Sequence, residues 1–195
     1  MLSVNDKETK ARILDAAQDL IQRLGANAMS YQDISDAVGI RKASIHHHFP
    51  KKENLIETLL DRYSLYFFEL VDNILQSGVS PKEKLLKYID LFEATLRSDN
   101  GDKACLYGML GAEITTLGLD SAVKVKLFHE GNEKRISKIL TEGRKLKMFG
   151  FKGRPEAAAA LVFALLEGAV LIARARGGVD HFREIARQLM LLLAA

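Results

Sequence analysis

The stretch that decides the fold lies at residues 30–49 and reads SYQDISDAVGIRKASIHHHF. A serine followed three residues later by Asp33 is typical of a helix N-terminus, and Gly39 supplies the backbone freedom that a tight turn requires. Two short helices joined at this glycine would share a small apolar core. The pattern therefore predicts a helix-turn-helix, whose core residues are Ile34, Ala37, Val38, Ile45 and Phe49.

The second of these helices, at about residues 42–48, carries side chains that suit DNA. In a DNA-reading helix the N-terminal residues face base edges in the major groove, and neighbouring cations hold phosphates. Residues 37–52 contain four cations, three histidines and no acid, although an ordinary solvated surface carries such charges too. The predicted DNA-binding residues are Ser30, Tyr31, Arg41, Lys42, Ala43, Ser44, His46, His47, Lys51 and Lys52.

The three adjacent histidines do not predict a metal site, because consecutive helical residues point about 100° apart and cannot converge on one ion. We expect His48 to pack against the long helix that follows instead of touching DNA. The chain has no triad-like, nucleotide-loop or metal-ligand spacing, so we expect neither an enzyme nor a cofactor.

Helical periodicity continues through the rest of the chain, without the alternation typical of strands. It predicts an all-α fold of about nine helices, with three N-terminal helices, a long connector over Lys52–Gln76 and five more. We assign residues 1–52 to a helix-turn-helix DNA-binding domain and residues 53–195 to a helical domain for ligand binding and dimerisation. The five later helices are predicted at Lys82–Arg97, Ala104–Thr116, Asp120–Lys147, Pro155–Arg176 and Asp180–Leu193.

Composition narrows the class of protein. The 195 residues include one cysteine, which excludes an intramolecular disulfide and a cysteine-rich zinc site. The N-terminus lacks the apolar segment of a secretion signal, so a cytoplasmic location is expected. The longest apolar stretch, residues 157–173, is interrupted by Glu167 and is shorter than the roughly 20 residues of a bilayer span. We therefore expect a buried helix and no membrane contact.

The helix-turn-helix and its surroundings resemble the tetracycline-repressor (TetR) family of bacterial regulators over about fifty residues. Three positions depart from the family pattern: His46 stands where Tyr is usual, Arg41 where a helix-starting Ser or Thr is usual, and Lys51 where Ser is common. These departures bear on the operator sequence and leave the fold untouched. The residues that carry the resemblance are Ile13-Leu14-Asp15-Ala16-Ala17, Leu24-Gly25, Ile34, Ala37, Gly39, His47-His48-Phe49-Pro50, Lys52-Glu53 and Leu55.

The resemblance implies a dimeric transcription regulator that binds double-stranded DNA. We expect a repressor that a small-molecule effector, in one version an electrophile, releases from a palindromic operator. The resemblance also implies an effector site inside the C-terminal bundle and a homodimer through helices 155–176 and 180–193. The first of these is apolar on nearly every face, which favours a partner helix, although burial within one chain would also account for it. The alternative is an architectural DNA-binding protein of the same fold, controlled by protein partners without a small effector.

Ten residues are candidates for the effector site, although the aromatic ones also suit an ordinary core. Glu167 must face water, a cation across a dimer, or a ligand, because an unpaired buried carboxylate costs several kcal/mol. Cys105 lies in a segment that resembles electrophile- and oxidant-responsive TetR repressors. Lys103 and a helix start would favour its thiolate, whereas an inert buried thiol is the alternative. The candidates are Tyr63, Phe67, Tyr88, Phe92, Cys105, Met109, Glu113, Phe128, Phe163 and Glu167.

Overall fold

The computed structural model describes residues 4–97 and 101–194, with side chains from residue 6 onward. These described residues form nine α-helices and, apart from one isolated bridge between Phe149 and Ala194, no strand. The predicted all-α fold is confirmed. The helices are α1 (Val4–Leu24), α2 (Tyr31–Val38), α3 (Lys42–His48), α4 (Lys52–Gln76), α5 (Pro81–Arg97), α6 (Leu106–Ala112), α7 (Leu119–Lys145), α8 (Pro155–Ala175) and α9 (Gly178–Leu193).

The predicted helix over Ala104–Thr116 is wrong in part. The helix α6 ends at Ala112, and a separate 3-10 turn follows at Ile114–Thr116. The three β-branched residues of that turn are unfavourable in an α-helix. The N–H of Thr116 donates to the carbonyl of Glu113 at 2.9 Å, which is the three-residue spacing of a 3-10 turn. The ends of the other later helices differ from the prediction by two residues or fewer.

Contacts divide the chain into two compact units. The first unit consists of Met1–Ser64 and Leu106–Lys126, and the second of Leu65–Cys105 and Leu127–Ala195. The helices α4 and α7 therefore contribute residues to both units, while α6 belongs with the N-terminal helices. The boundary predicted at residue 52 was drawn between a DNA-binding domain and a domain for ligand binding and dimerisation, and not from contacts. It stays a prediction.

In the first unit, α1 packs against α2 and α6, and α2 packs against α3. The apolar residues Ile13, Ala17 and Ile21 of α1 are fully buried, as are Ile34 of α2 and Ile45 of α3. The four-residue spacing of the three α1 residues places them on one face of that helix. A common apolar core therefore joins α1 to the helix-turn-helix.

The turn of the motif lies where it was predicted. Gly39 ends α2 with a φ of 73°, a left-handed conformation that is strained for other residues, and its N–H donates to the carbonyl of Ser35 at 2.9 Å. The assignment of Ala37 to the shared core is wrong, because this residue is exposed. The buried face of α2 is narrow and is filled by Ile34 and Val38, which lie one turn apart.

In the second unit, α5, α8 and α9 pack against one another. Tyr88 of α5 is fully buried, and its hydroxyl donates to Oδ1 of Asn132 at 2.7 Å. The Asn132 amide nitrogen in turn donates to the carbonyl of Phe128 at 2.9 Å. Hydrogen bonds of this kind offset the cost of burying polar groups.

The helix α8 is long and apolar enough to cross a membrane by length and composition, a test that core helices of globular proteins also pass. One face is buried and includes Val162 and Leu166, and α8 packs against α5 and α9. The opposite face exposes Leu161 (67%) and Ile172 (53%). In the described chain, α8 therefore keeps one apolar face accessible.

Candidate DNA-binding interface and effector region

The short helix α3 has a buried anchor on one side and a polar surface on the other. Ile45 in its middle is fully buried, and Phe49 at its end is 2% exposed. His48 is half-buried. Six of the residues predicted to bind DNA are exposed on or beside α3, and they are Arg41, Lys42, Ala43, Ser44, His46 and His47.

The two helices of the motif begin differently. Ser30 caps α2: its Oγ accepts from the N–H of Asp33 at 3.3 Å, and the Asp33 carboxylate accepts from the Ser30 N–H at 2.7 Å. The Ser30 hydroxyl also donates to this carboxylate at 2.7 Å, and these hydrogen bonds lower the pKa of Asp33. Arg41 holds the corresponding place before α3 but makes no side-chain capping hydrogen bond within the described residues. Both residues are exposed, but the hydroxyl of Ser30 is bonded to Asp33 within the motif.

Tyr31 was predicted to contact DNA, and the structure gives its hydroxyl a partner within the protein. The hydroxyl donates to the carbonyl of Phe49 at 2.7 Å, so it links the start of α2 to the end of α3. Burial, and then the negative charge of Glu53, raise the pKa of Tyr31 to about 12. The ring of His46 packs edge-on against the Tyr31 ring, with centroids 4.8 Å apart. Tyr31 therefore supports α3 from within.

Of the two adjacent lysines at the start of α4, one is exposed and the other is bonded within the protein. Lys51 is exposed, while the half-buried Lys52 donates to the carbonyl oxygens of Ala26 and Met29 in the turn between α1 and α2. The predicted phosphate contact of Lys52 thus competes with an internal role that the sequence did not reveal. Of the two cations, Lys51 is the one whose ammonium is presented to solvent.

Glu113, a predicted effector residue, lies in the first unit. It accepts hydrogen bonds from the turn between α1 and α2, which Lys52 also contacts. Its carboxylate accepts from the N–H of Ala26 at 2.7 Å and from the N–H of Asn27 at 3.2 Å. Tyr63 and Met109 also belong to the first unit, and the Tyr63 ring lies 5.8 Å from that of Tyr107. These three residues thus belong to the first unit, and the other effector candidates belong to the second.

The remaining aromatic candidates form one cluster inside the second unit. Phe67 is central: its ring centroid lies 5.4 Å from that of Phe128 and 6.4 Å from those of Tyr88 and Phe92. Phe92 continues the cluster to Phe163, also at 6.4 Å. Such spacings are those of packed aromatic pairs, so these rings form a continuous core in which α5 and α8 both take part.

Glu167 and Cys105 adjoin this cluster within the second unit. Oε1 of Glu167 is fully buried and has no hydrogen-bond partner among the residues that the structure describes. Burial raises the pKa of Glu167 to about 7, although a hydrogen bond from Cys105 acts in the opposite direction. Burial, and then the charge of Glu167, raise the pKa of Tyr88 well above its ordinary value. Cys105 is buried and immediately precedes α6.

A separate groove of about 560 Å³ runs between α5 and α9. Leu86, Ile89 and Met190 contribute apolar surface to it, and Arg183 donates to Glu93 at 2.7 Å beside them. Among residues 4–97 and 101–194, none of the predicted effector residues lines this groove. Sequence periodicity did not indicate it, because a groove depends on how helices diverge and not on the spacing within one helix.

Residues 13–59, which include the whole helix-turn-helix, match the family model described as bacterial regulatory proteins, tetR family. The crystal structure of a TetR-family transcriptional regulator from Agrobacterium tumefaciens is similar over 98% of this chain and 100% of that one, with a TM-score of 0.92 and 31% sequence identity. The chain belongs to the TetR family. It is thus a DNA-binding transcriptional regulator.

Two further relatives of this TetR-family protein span nearly its whole length. A TetR regulator from Legionella pneumophila has a TM-score of 0.82 and 30% identity, and the match covers 95% of this chain and 97% of that one. The HTH-type transcriptional repressor NemR of Escherichia coli (strain K12) is 25% identical over 87% of this chain and 85% of NemR. The family resemblance therefore extends beyond the DNA-binding motif.

The adjacent lysines of this TetR-family protein provide a matched test of the internal contact. Lys52→Met removes the ammonium and leaves the carbonyls of Ala26 and Met29 without their charged donor. We expect this variant to lower the free energy of unfolding by about 2 kcal/mol. Lys51→Met changes the same charge at an exposed position and should cost less than about 0.5 kcal/mol. Urea denaturation followed by circular dichroism measures both, and equal losses would contradict the assigned contact.

Proposed function

We propose that the protein is a dimeric repressor that reads a palindromic operator through α3 and is released by a small-molecule effector. The observation that carries the proposal is the arrangement of α3, where Lys42, Ser44 and His47 are exposed around the buried Ile45. Long or hydrogen-bonding side chains at the start of a reading helix suit base edges in the major groove. The name of NemR, a transcriptional repressor, supports repression as the direction of control.

The division between reading and phosphate-holding residues is testable with single variants. Ser44→Ala and Lys42→Ala should each relax the preference for one base pair by about tenfold, because each removes a base-edge contact. Lys51→Ala should weaken binding to every sequence alike and flatten the salt dependence by about one unit, because one phosphate contact is lost. The measurement is fluorescence anisotropy at several salt concentrations, on duplexes selected by the wild-type protein from a random library and on their single-base variants.

Asp120→Ala, which removes an exposed charge from the same unit, serves as the control for general electrostatics. If Ser44→Ala, Lys42→Ala and Lys51→Ala all reduced affinity without changing base preference, α3 would not be the reading helix.

We propose that dimerisation uses the accessible face of α8 together with the end of α9. Leu161, Ala164, Gly168, Leu171 and Ala175 follow one another at alternating spacings of three and four residues, the repeat by which two helices pack side by side. A Cβ added at Gly168 would meet no described atom within 4 Å, so a partner helix has room to approach closely. On α9, Leu191 and Leu192 are 67% and 74% exposed. A helix-turn-helix that reads half-sites about 34–36 Å apart needs such a pair.

A charged residue on this face should separate the subunits. We expect Leu161→Glu to raise the dimer dissociation constant by about a hundredfold or more, since dimerisation would then bury an unpaired carboxylate. Leu119→Glu makes the same change at a leucine of the first unit that is 81% exposed, and it should leave the dimer intact. Sedimentation velocity over a concentration series gives both constants. A Leu161→Glu variant that stays as dimeric as the wild type would exclude α8 from the interface.

We propose that the effector binds beside Glu167 and supplies a hydrogen-bond donor or a positive charge to its buried oxygen. A buried carboxylate oxygen without a partner has lost its hydration and gained nothing in return, so a ligand that bonds it recovers free energy. The adjoining aromatic cluster would contact the apolar part of such a ligand. For an electrophilic effector, the Cys105 thiol next to Glu167 is the nucleophile that this site offers.

The raised pKa of Glu167 makes a prediction about stability. Because its value in the folded protein, about 7, exceeds the ordinary 4.5, the folded state binds this proton more tightly. The stabilisation from protonation is therefore fully present below pH 4.5 and is lost as the pH rises through about 7. Between these limits the wild type should lose roughly 3 kcal/mol at most through this group.

Glu167→Gln is the matched variant, because its amide cannot ionise. Unfolding by urea across this pH range should give a difference between variant and wild type that grows with pH in favour of the variant. A difference that does not change with pH would mean that Glu167 is not buried in ionised form above pH 7.

A further inference from the structure

The turn between α1 and α2, residues 25–29, is held from two directions by charged groups that are distant in sequence. The Glu113 carboxylate accepts from the N–H groups of Ala26 and Asn27, at 2.7 and 3.2 Å. The Lys52 ammonium donates to the carbonyl oxygens of Ala26 and Met29. The N–H and the carbonyl of Ala26 are therefore each bonded to a full charge, and charge-assisted hydrogen bonds are roughly twice as strong as neutral ones.

Gly25 makes room for the carboxylate. A Cβ at this position would lie 2.4 Å from Oε1 of Glu113, a separation that Cβ atoms essentially never show, and the φ of +89° also favours glycine. The neighbouring Asn27 amide donates to Oγ1 of Thr116 at 2.9 Å. Two side chains that follow α6 thus bond the α1–α2 turn: the charged Glu113, and Thr116 of the 3-10 turn.

This turn leads directly into the reading motif. Met29, whose carbonyl Lys52 holds, is 1% exposed and immediately precedes Ser30, the N-cap of α2. Since α2 packs against α3, a displacement of the turn moves the N-cap and with it the reading helix. A shift of about 1 Å is enough to spoil hydrogen bonds to base edges, because their strength falls steeply with distance and angle.

We propose that Glu113 is a positioning residue for operator recognition: by holding the α1–α2 turn it fixes the register of α3 on DNA, without touching DNA itself. This inference rests on the reading role proposed above for α3. The helix α1 also packs directly against α6, which ends at Ala112, before Glu113. Removing the carboxylate should therefore loosen the turn and leave the unit folded.

The test compares specific and non-specific DNA binding. Glu113→Ala should weaken binding to the duplex selected by the wild type by about tenfold, while binding to a random duplex and the slope of affinity against salt stay unchanged. Glu113→Gln keeps an acceptor oxygen and should recover most of that loss. Asp120→Ala removes the same charge from an exposed position of this unit and should bind both duplexes like the wild type.

Hydrogen exchange on the free proteins provides the structural readout. The amide protons of Ala26 and Asn27 should lose protection in Glu113→Ala and regain part of it in Glu113→Gln. A loss of affinity equal for both duplexes, or unchanged specific binding, would overturn the inference. Unfolding of both variants would also overturn it, because Glu113 would then maintain the fold and not the register. If the wild type itself selects no duplex, the reading role proposed for α3 fails, and the inference fails with it.

Discussion

A helix of seven residues does not keep its shape alone in water, because few hydrogen bonds offset the cost of nucleation. The helix α3, proposed above to read DNA, is of this length, and Arg41 stands where a capping side chain would help. Its conformation therefore depends on the burial of Ile45 and Phe49 in the core of the first unit. With that face fixed inside, Lys42, Ser44, His46 and His47 lie on the exposed side of the helix, and His48 is half-buried. The polar surface of α3 is thus a consequence of apolar packing.

Polar residues around the motif divide between two tasks. Lys42, Ser44 and Lys51 are exposed, whereas the half-buried Tyr31 and Lys52 are bonded to backbone groups of the first unit. Ser30 is exposed as well, but its hydroxyl donates to Asp33. The hydrogen bonds of Ser30, Tyr31 and Lys52 give α3 the support that a longer helix would obtain from its own hydrogen bonds. A surface that must match base edges closely needs such support, since a side chain reads sequence only if its backbone is fixed.

Periodicity and turn chemistry predicted most of the fold, since α3 and α4 have the bounds read from the sequence and Gly39 has the left-handed conformation that its position required. Periodicity and turn chemistry could not predict which residues distant in sequence contact one another in the fold. Nothing local distinguishes Lys51 from Lys52, because the difference arises from the turn at Ala26, brought near by folding. Glu113 lies 87 residues from that turn. For Ala37 the residue type misled, because alanine is as compatible with an exposed helix face as with a core.

Charged groups inside the two units differ in how they are satisfied. Lys52 and Glu113 are half-buried and bond to backbone groups, so the cost of their burial is compensated. Glu167 also carries a buried carboxylate oxygen, yet among the described residues that oxygen lacks a partner. A ligand shifts an equilibrium only through a difference in affinity between two states. A charged side chain whose hydrogen bonds are already made offers little difference in ligand affinity between two states. In the effector site proposed above, the Glu167 oxygen without a described partner does offer such a difference.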